Sequence, residues 1–423
     1  MKGAIMRMTS RIFVAVVLAI GAHAVAQAQD SADRILINGR IVTVDDYFSF
    51  AEAIAIKGDR ILAVGSTVDI EAHAGPGTQR TDLDGRMVIP GLIDNHNHVI
   101  RATEYWPNEA RLDGVTSRAE ALQILADKAG ALPRGEWLMS LGGWSEAQFI
   151  DSQSDFTLAE LDEISGDRPA FLQSVYSHAF ANTAWFDAME IPLRASRGER
   201  EAATGVAAYV VRDRRGRATG RLNGGFPMIE AAINGFPTVS SERQIAAIKS
   251  AYTHLNSIGL TTVYDPAGVG IRRASYERLR DIGDELTVRT FHTLGGSTPR
   301  TPADAQALVD EIRASKPFQG NSMVDLIAVG EVWYAPFHWD GVLDPTDPAP
   351  VDIAAAKEIM LASAEGGWSL QTHSIQPQTI DHLLDLIEEV NTERPIKALR
   401  WTITHADAIN EAQLYRARDL GMN

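Results

Sequence analysis

The sequence predicts an α/β chain: a parallel strand-and-helix barrel preceded by a small sheet domain. Three observations lead there. Apolar strand-like runs recur between residues 136 and 406 without polar alternation, the pattern of strands covered on both faces. Amphipathic helical stretches separate several of these runs, as βαβ units require, and their number favours a barrel over an open sheet. Upstream, residues 33 to about 87 hold short β-rich runs punctuated by Asn38-Gly39, Gly58-Asp59 and Asp84-Gly85, pairs that tolerate the positive φ of tight hairpin turns.

The elements follow in chain order. MKGAIMRMTSR opens the chain with Lys2, Arg7 and Arg11 and no acid. FVAVVLAIGAHAVA is apolar but short for a membrane anchor, and Ala26-Gln27-Ala28 supplies a small-x-small cleavage site. Residues 1–28 therefore read as a secretory signal, and the expected location is periplasmic or secreted, with no stable membrane anchor after cleavage. After the three hairpin-like units, strand runs occur at 136–143, 169–177, 260–267, 286–294, 325–334, 368–374 and 399–406. SERQIAAIKSAYTHLNSIG places Ile245, Ile248, Tyr252, Leu255 and Ile258 near helical periodicity, with Ser241 as cap and Gly259 as stop. PQTIDHLLDLIEEVN and NEAQLYRARDLG are similar, and the Gly- and Arg-rich stretch near 195–235 reads as an excursion with a hairpin at its tip.

Composition excludes several classes. At 45% hydrophobic and 22% charged residues the chain is globular. Its net charge of −16 becomes −19 once the signal is removed, and no basic run offsets it, so nucleic acid is not an expected partner. There are no cysteines, hence no disulfides and no thiolate ligand or nucleophile. No G-x-S-x-G elbow and no P-loop occurs, and GVGIRRA (268–274) places Arg at the third glycine of a dinucleotide loop.

Chemistry concentrates at strand ends. VIPGLIDNHNHV carries Asp94, His96 and His98 where the first barrel strand would leave the sheet. Imidazoles at i and i+2 on extended backbone point the same way and can reach one metal ion. Alone, such a pair is more commonly a surface pair or a capped loop. SLQTHS and WTITHA place His373 and His405 at two further strand ends, and DLIAVGEVWY places Glu331 at a fourth. In a parallel barrel these ends share one mouth, and a carboxylate there is expensive to bury unless paired or metal-bound. His254 and His382 fall on helices and read as solvated; His292 and His338 have no assigned role.

Together, ILINGRIVTVDD, AIAIKGDRILAVG, PGLID-x-H-x-H at 90–98, GGW at 142–144, PAFLQSVYSHAFANTAW at 169–185, GLTTVYDPAG at 259–268, His373 and His405 resemble the amidohydrolase superfamily, family 3 (YtcJ-like) branch, from about residue 33 to the last residue. The resemblance implies a (β/α)8 TIM-type metal-dependent hydrolase barrel and a β-sandwich built from both chain ends. It further implies one or two divalent metal ions, zinc first, held by His96 and His98 (strand 1), His373 (strand 5) and His405 (strand 6). Glu331 stands at strand 4, where the superfamily often has a carboxylated lysine; a glutamate can bridge two cations through its oxygens. The strands near 137 and 170 then belong to an insertion between strands 1 and 2, about 105–240. The family's general-base aspartate at strand 8 has no counterpart, so the expected fold is a barrel truncated after strand 6. The expected division is signal 1–28, N-terminal β-sandwich portion 29–87 and incomplete barrel 88–423.

The function this implies is hydrolysis of a carbon–nitrogen bond other than a peptide bond, in an amide, an N-acyl or N-formyl amine or a cyclic amide, by metal-activated water. His178 is the residue to contact the substrate carbonyl or its oxyanion, and Asp265 either orients a ligand or caps a turn. Two other readings stand beside it: an isomerase or decarboxylase using the same metals, and an inactive metal-binding remnant. The expected partner is a small-molecule substrate, and homo-oligomerisation is compatible with the sequence. Trp106, Trp144, Tyr176, Trp333, Tyr334 and Trp339 either line an aromatic pocket or serve as lids and core.

Overall fold

The structure, a computed structural model, describes residues 31–266, 273–294, 298–340 and 344–423. The expected signal segment, and the 268–274 loop apart from the backbone of its last two residues, lie outside the described residues. The chain divides into two compact units between Gly91 and Leu92.

The first unit holds strands β1 (Ala32–Ile37), β2 (Arg40–Val42), β3 (Phe50–Ala51), β4 (Ala53–Lys57), β5 (Arg60–Gly65), β6 (Ala74–Asp82) and β7 (Met87–Val88). They form a four-stranded sheet, β5-β4-β1-β6, and a three-stranded sheet, β3-β2-β7. Ile54 of the first sheet and Ile41 of the second meet with Leu83 in one apolar cluster. Of the three expected hairpins, only Gly58-Asp59 closes one, pairing Lys57 with Arg60. At Asn38-Gly39 and Asp84-Gly85 the expectation is corrected. β1 pairs parallel with β6, and β2 parallel with β7, so the two turns lie side by side and carry both chains from one sheet to the other. Gly85 N–H donates to the Asn38 carbonyl, joining the two corners. Positive φ marked the turn correctly but not the strand's next neighbour.

The second unit contains β8 (Leu92–Asp94), β14 (Leu260–Asp265), β15 (Arg289–Leu294), β16 (Val324–Val329), β17 (Ser369–Ser374) and β18 (Thr402–His405), six parallel strands paired in sequence order. β8 and β18 are the terminal strands of this sheet. Even so, the rings of His96, just beyond β8, and His405, closing β18, have centroids 5.1 Å apart. The sheet therefore curls until its outer strands bring their carboxyl ends together. Helices Pro302–Ala314, Pro350–Glu365 and Pro377–Glu393 cover it. In the last of these Ile380, Leu383, Leu384, Ile387 and Val390 follow the i, i+3/i+4 pattern and are buried against Trp368 and Leu370. Each such aliphatic side chain contributes about 2 kcal/mol of burial.

Between β8 and β14 the chain builds a separate five-stranded sheet in the order β12-β13-β11-β10-β9, from β9 (Leu138–Leu141), β10 (Ala170–Ser174), β11 (His178–Ala181), β12 (Val210–Arg212) and β13 (Ala218–Asn223). The excursion expected near 195–235 does end in a hairpin, β12–β13. Phe171, Trp185, Phe186 and Phe236 fill the core beneath this sheet. The long helix after it, Ser241–Ser257, is capped by Ser240, one residue before the expected cap. Among the described residues no helix is long and apolar enough to cross a membrane.

Candidate metal centre

Glu331 sits two residues beyond β16 and is 4% exposed. Its Oε1 lies 3.0 Å from His373 Nδ1 and 2.8 Å from His405 Nε2. Its Oε2 lies 3.3 Å from His98 Nε2 and 3.8 Å from His96 Nε2. Each carboxylate oxygen thus faces a pair of imidazoles. His96, His98 and Glu331 form one group able to hold a metal ion, and Glu331, His373 and His405 form a second, with ligand atoms within 4.8 Å of one another in each. The structure brings all five expected ligands together.

Backbone geometry explains how they converge. Gly330 adopts φ +146°, and a Cβ there would overlap the Gln371 carbonyl on β17. Only glycine lets the chain pass this close and turn Glu331 inward. His405 and Ala406 have φ of +67° and +51°. Non-glycine residues in this region are strained, and such strain is found where a side chain must be aimed at a site.

The donor set fits a divalent cation. Four imidazoles and one carboxylate are the nitrogen and oxygen ligands that zinc and its neighbours accept. His373 Nε2 lies 3.3 Å from the Asp340 carbonyl and its Nδ1 lies 3.0 Å from Glu331 Oε1. A ring nitrogen and a carboxylate oxygen this close call for a proton or a cation between them. His96 Nε2 is buried and has no hydrogen-bond partner among the described residues, although buried polar atoms are almost always paired. His96 Nδ1 lies 3.1 Å from the Gln371 side-chain amide, whose own Oε1 also lacks a partner. A proton on Nδ1 donated to that oxygen would leave the Nε2 lone pair for a metal. Burial pushes the His96 pKa below the ordinary imidazole value, while the hydrogen bond to Glu331 raises that of His405. Burial alone would raise the Glu331 pKa, but hydrogen bonds from His373, His405 and His98 outweigh it and hold the carboxyl well below the usual range.

The profile of the amidohydrolase family matches residues 79–423. The chain belongs to this family. N-substituted formamide deformylase of Arthrobacter pascens is 26% identical over 411 residues, covering 92% of this chain and 72% of that protein. The YtcJ amidohydrolase of Bacillus subtilis (strain 168) is 31% identical over 224 residues, covering 51% of this chain and 40% of that protein. An uncharacterized metal-dependent hydrolase from Pyrococcus furiosus superimposes with a TM-score of 0.61 at 20% identity, over 92% of this chain and 75% of that one, a likeness of fold.

Around the histidines this amidohydrolase carries supports that local sequence patterns do not reveal. Asp340, buried, accepts from the N–H groups of Ile375 and Gln376 at 2.9 and 2.7 Å and so anchors the end of β17 just beyond His373. His338 is fully buried: its Nδ1 donates to the His373 carbonyl at 2.9 Å and its Nε2 accepts from Tyr334 N–H at 3.2 Å. Burial drives its pKa down to about 3, which keeps this bracing imidazole neutral. His382, expected in solvent, donates to the Phe337 carbonyl at 2.8 Å.

Asp265 ends β14 fully buried, accepting from Ile100 N–H at 2.9 Å and Tyr276 O–H at 3.1 Å. Ile100 lies in the first turn of helix Val99–Glu104, so the carboxylate caps the helix that begins at His98. It thus caps a helix rather than a turn, two residues beyond His98. His178 lies on the insertion sheet, its Nε2 2.9 Å from Glu146 Oε1 and its Nδ1 2.7 Å from Ser177 Oγ. It belongs to neither group able to hold a metal. Glu146 was not apparent from sequence; burial opposes its charge, but the hydrogen bond from His178 leaves its pKa below the ordinary value. The six aromatic residues divide. Trp144, Trp333 and Tyr334 are core, whereas Tyr176 is 47% exposed and Trp106 and Trp339 are half-buried.

Proposed function

We propose that this amidohydrolase hydrolyses a carbon–nitrogen bond other than a peptide bond in a small amide, an N-acyl or N-formyl amine or a cyclic amide, using one or two divalent cations, zinc first. His96, His98, Glu331, His373 and His405 would hold the metal. The observation that carries the reading is the Glu331 carboxylate, buried among four imidazoles delivered by three separate strand ends. A cation bound there supplies the chemistry, since it lowers the pKa of water to about 7 and polarises a carbonyl oxygen.

The chain's own residues supply orientation. Asp265, Asp340 and His338 brace the backbone beside His98 and His373, and Gln371 sets the His96 ring. We assign His178 to the substrate carbonyl or its oxyanion, its ring fixed by Glu146 at Nε2 and by Ser177 at Nδ1. The name of the Arthrobacter pascens relative supports N-substituted formamides as the first class to try. The division into signal, N-terminal sandwich portion and barrel, and export to the periplasm or medium, belong to the same proposal and rest on the sequence patterns of residues 1–87.

The test is metal analysis of the purified protein followed by a panel of N-formyl and N-acyl amines, carbamates and cyclic amides, with amine release as readout. Bound zinc, turnover abolished by a chelator, and loss of both in Glu331→Ala are expected. A metal-replete protein that cleaves nothing in the panel, or a Glu331→Ala variant that retains its metal, overturns the proposal.

A further inference from the structure

Beside His98 lies a partly open cavity of about 50 Å³ whose apolar wall comprises Tyr105, Leu141, Ile233 and Phe236. Arg101 also lines it. It follows His98 by three residues, which places both side chains on one face of the short helix Val99–Glu104 and its cap. A candidate metal ligand and a guanidinium thus line the same cavity.

Several guanidinium groups of this chain meet a carboxylate, among them those of Arg118, Arg243 and Arg300. Arg101 instead donates through one NH2 group to the Tyr176 hydroxyl at 2.8 Å, with its guanidinium carbon 5.5 Å from the centre of that ring. Among the described residues no carboxylate lies within ion-pair distance of it. Glu104, which shares the cavity, accepts a bond from Gln244 on the neighbouring helix. A guanidinium carries five N–H donors, so most of the Arg101 donors remain after the bond to Tyr176. Tyr176 itself belongs to an aromatic strip: its ring stacks on Phe226 at 5.6 Å, and Phe226 meets Trp339 edge-on at 5.2 Å. Trp339 precedes Asp340, whose carbonyl lies 3.3 Å from His373 Nε2, so the strip runs from the arginine toward the opposite side of the metal cluster.

We propose that Arg101, held by Tyr176, recognises a substrate carboxylate, so that the substrate is an anionic amide: a small amide bearing a carboxylate a few bonds from the scissile carbon–nitrogen bond, with a compact apolar group in the adjoining cavity. The planar fork of arginine suits a carboxylate, and one fork without a second cation suits a single carboxylate better than a phosphate. The inference rests on the hydrolase reading of the same site and deepens it.

The experiment compares N-acetylalanine with N-ethylacetamide, the same amide without its carboxylate, by calorimetry on the zinc-loaded protein. The wild type is expected to bind the carboxylate ligand about 30-fold more tightly. Arg101→Gln should collapse that preference to within about threefold, with Arg101→Lys intermediate. Tyr176→Phe, at an exposed ring, should weaken carboxylate binding by about threefold, and it tests the subsite if Arg101→Gln does not fold. Equal binding of the two ligands overturns the proposal. So does a preference that survives in Arg101→Gln, which would mean that the carboxylate sits on the metal. Acetate release in the same samples separates the two readings. Carboxylate preference without turnover leaves the subsite standing and removes the hydrolase, whereas turnover of both amides at equal kcat/KM does the reverse.

Discussion

Replacing Asp265 by Asn tests whether support from the neighbouring strand matters to the metal cluster. The carboxylate is fully buried, and its donors include Ile100 N–H at 2.9 Å and Tyr276 O–H at 3.1 Å. Asparagine keeps the shape but offers one carbonyl oxygen, so an NH2 group must face one of these donors. It also removes a charge from the N-terminus of helix Val99–Glu104. One unsatisfied buried donor together with the loss of a charge-assisted bond costs about 3 kcal/mol. Spread over a unit running from Leu92 to Asn423, this lowers Tm by about 4 °C. The same lock holds the chain two residues after His98, and Asn97 N–H is tied to the Tyr264 carbonyl at 3.1 Å, so loosening it frees His98. Zinc affinity, measured against a competing chelator, should fall about 10-fold. Metal affinity unchanged despite the loss of stability would make Asp265 an anchor of the helix alone; no change in either quantity would refute the geometry.

Two further perturbations address the scaffold. Gly330→Ala forces a Cβ onto the Gln371 carbonyl at φ +146° and should destabilise the protein by about 3 kcal/mol, seen as a lower urea midpoint; a wild-type midpoint would mean that the backbone need not pass so close. His292 is buried on β15 against Tyr276, with ring centroids 4.3 Å apart, and burial lowers its pKa to about 4 despite a bond to the Thr293 carbonyl. The unfolded chain takes up a proton near pH 6.5 that the folded protein refuses, so the stability at stake is full above pH 6.5 and drains away as pH falls toward about 4. The effect is on the order of 3 kcal/mol, and His292→Phe should flatten this part of the stability–pH curve. A slope retained in the variant would assign the acid sensitivity to other groups.

Much of the cluster is legible in the sequence because its donors sit where the local pattern is broken. His96 and His98 end an apolar run, His373 and His405 end two more, and Glu331 interrupts a stretch otherwise without charge. Such breaks are visible because covered parallel strands are uniformly apolar. Asp340, His338 and Gln371 announce themselves by no break. His338 closes a one-turn helix past β16 and Asp340 follows it, and their partners are 35 residues further on, at the end of β17. Gln371 is one polar residue within a strand whose partner, His96, is 275 positions away. The turns fail in the same way. Asn38-Gly39 and Asp84-Gly85 report a local φ, but the choice between folding back and crossing to another sheet is made by β6 and β7, which arrive some forty residues later. Arg101 reads as an ordinary surface charge until the insertion places Tyr176 against it. What the chain writes locally is therefore the set of donor atoms of the candidate metal centre. What holds those atoms in register is written in pairs of distant residues, so errors introduced at Asp265 or Gly330 should damage the centre without touching any of its five donors.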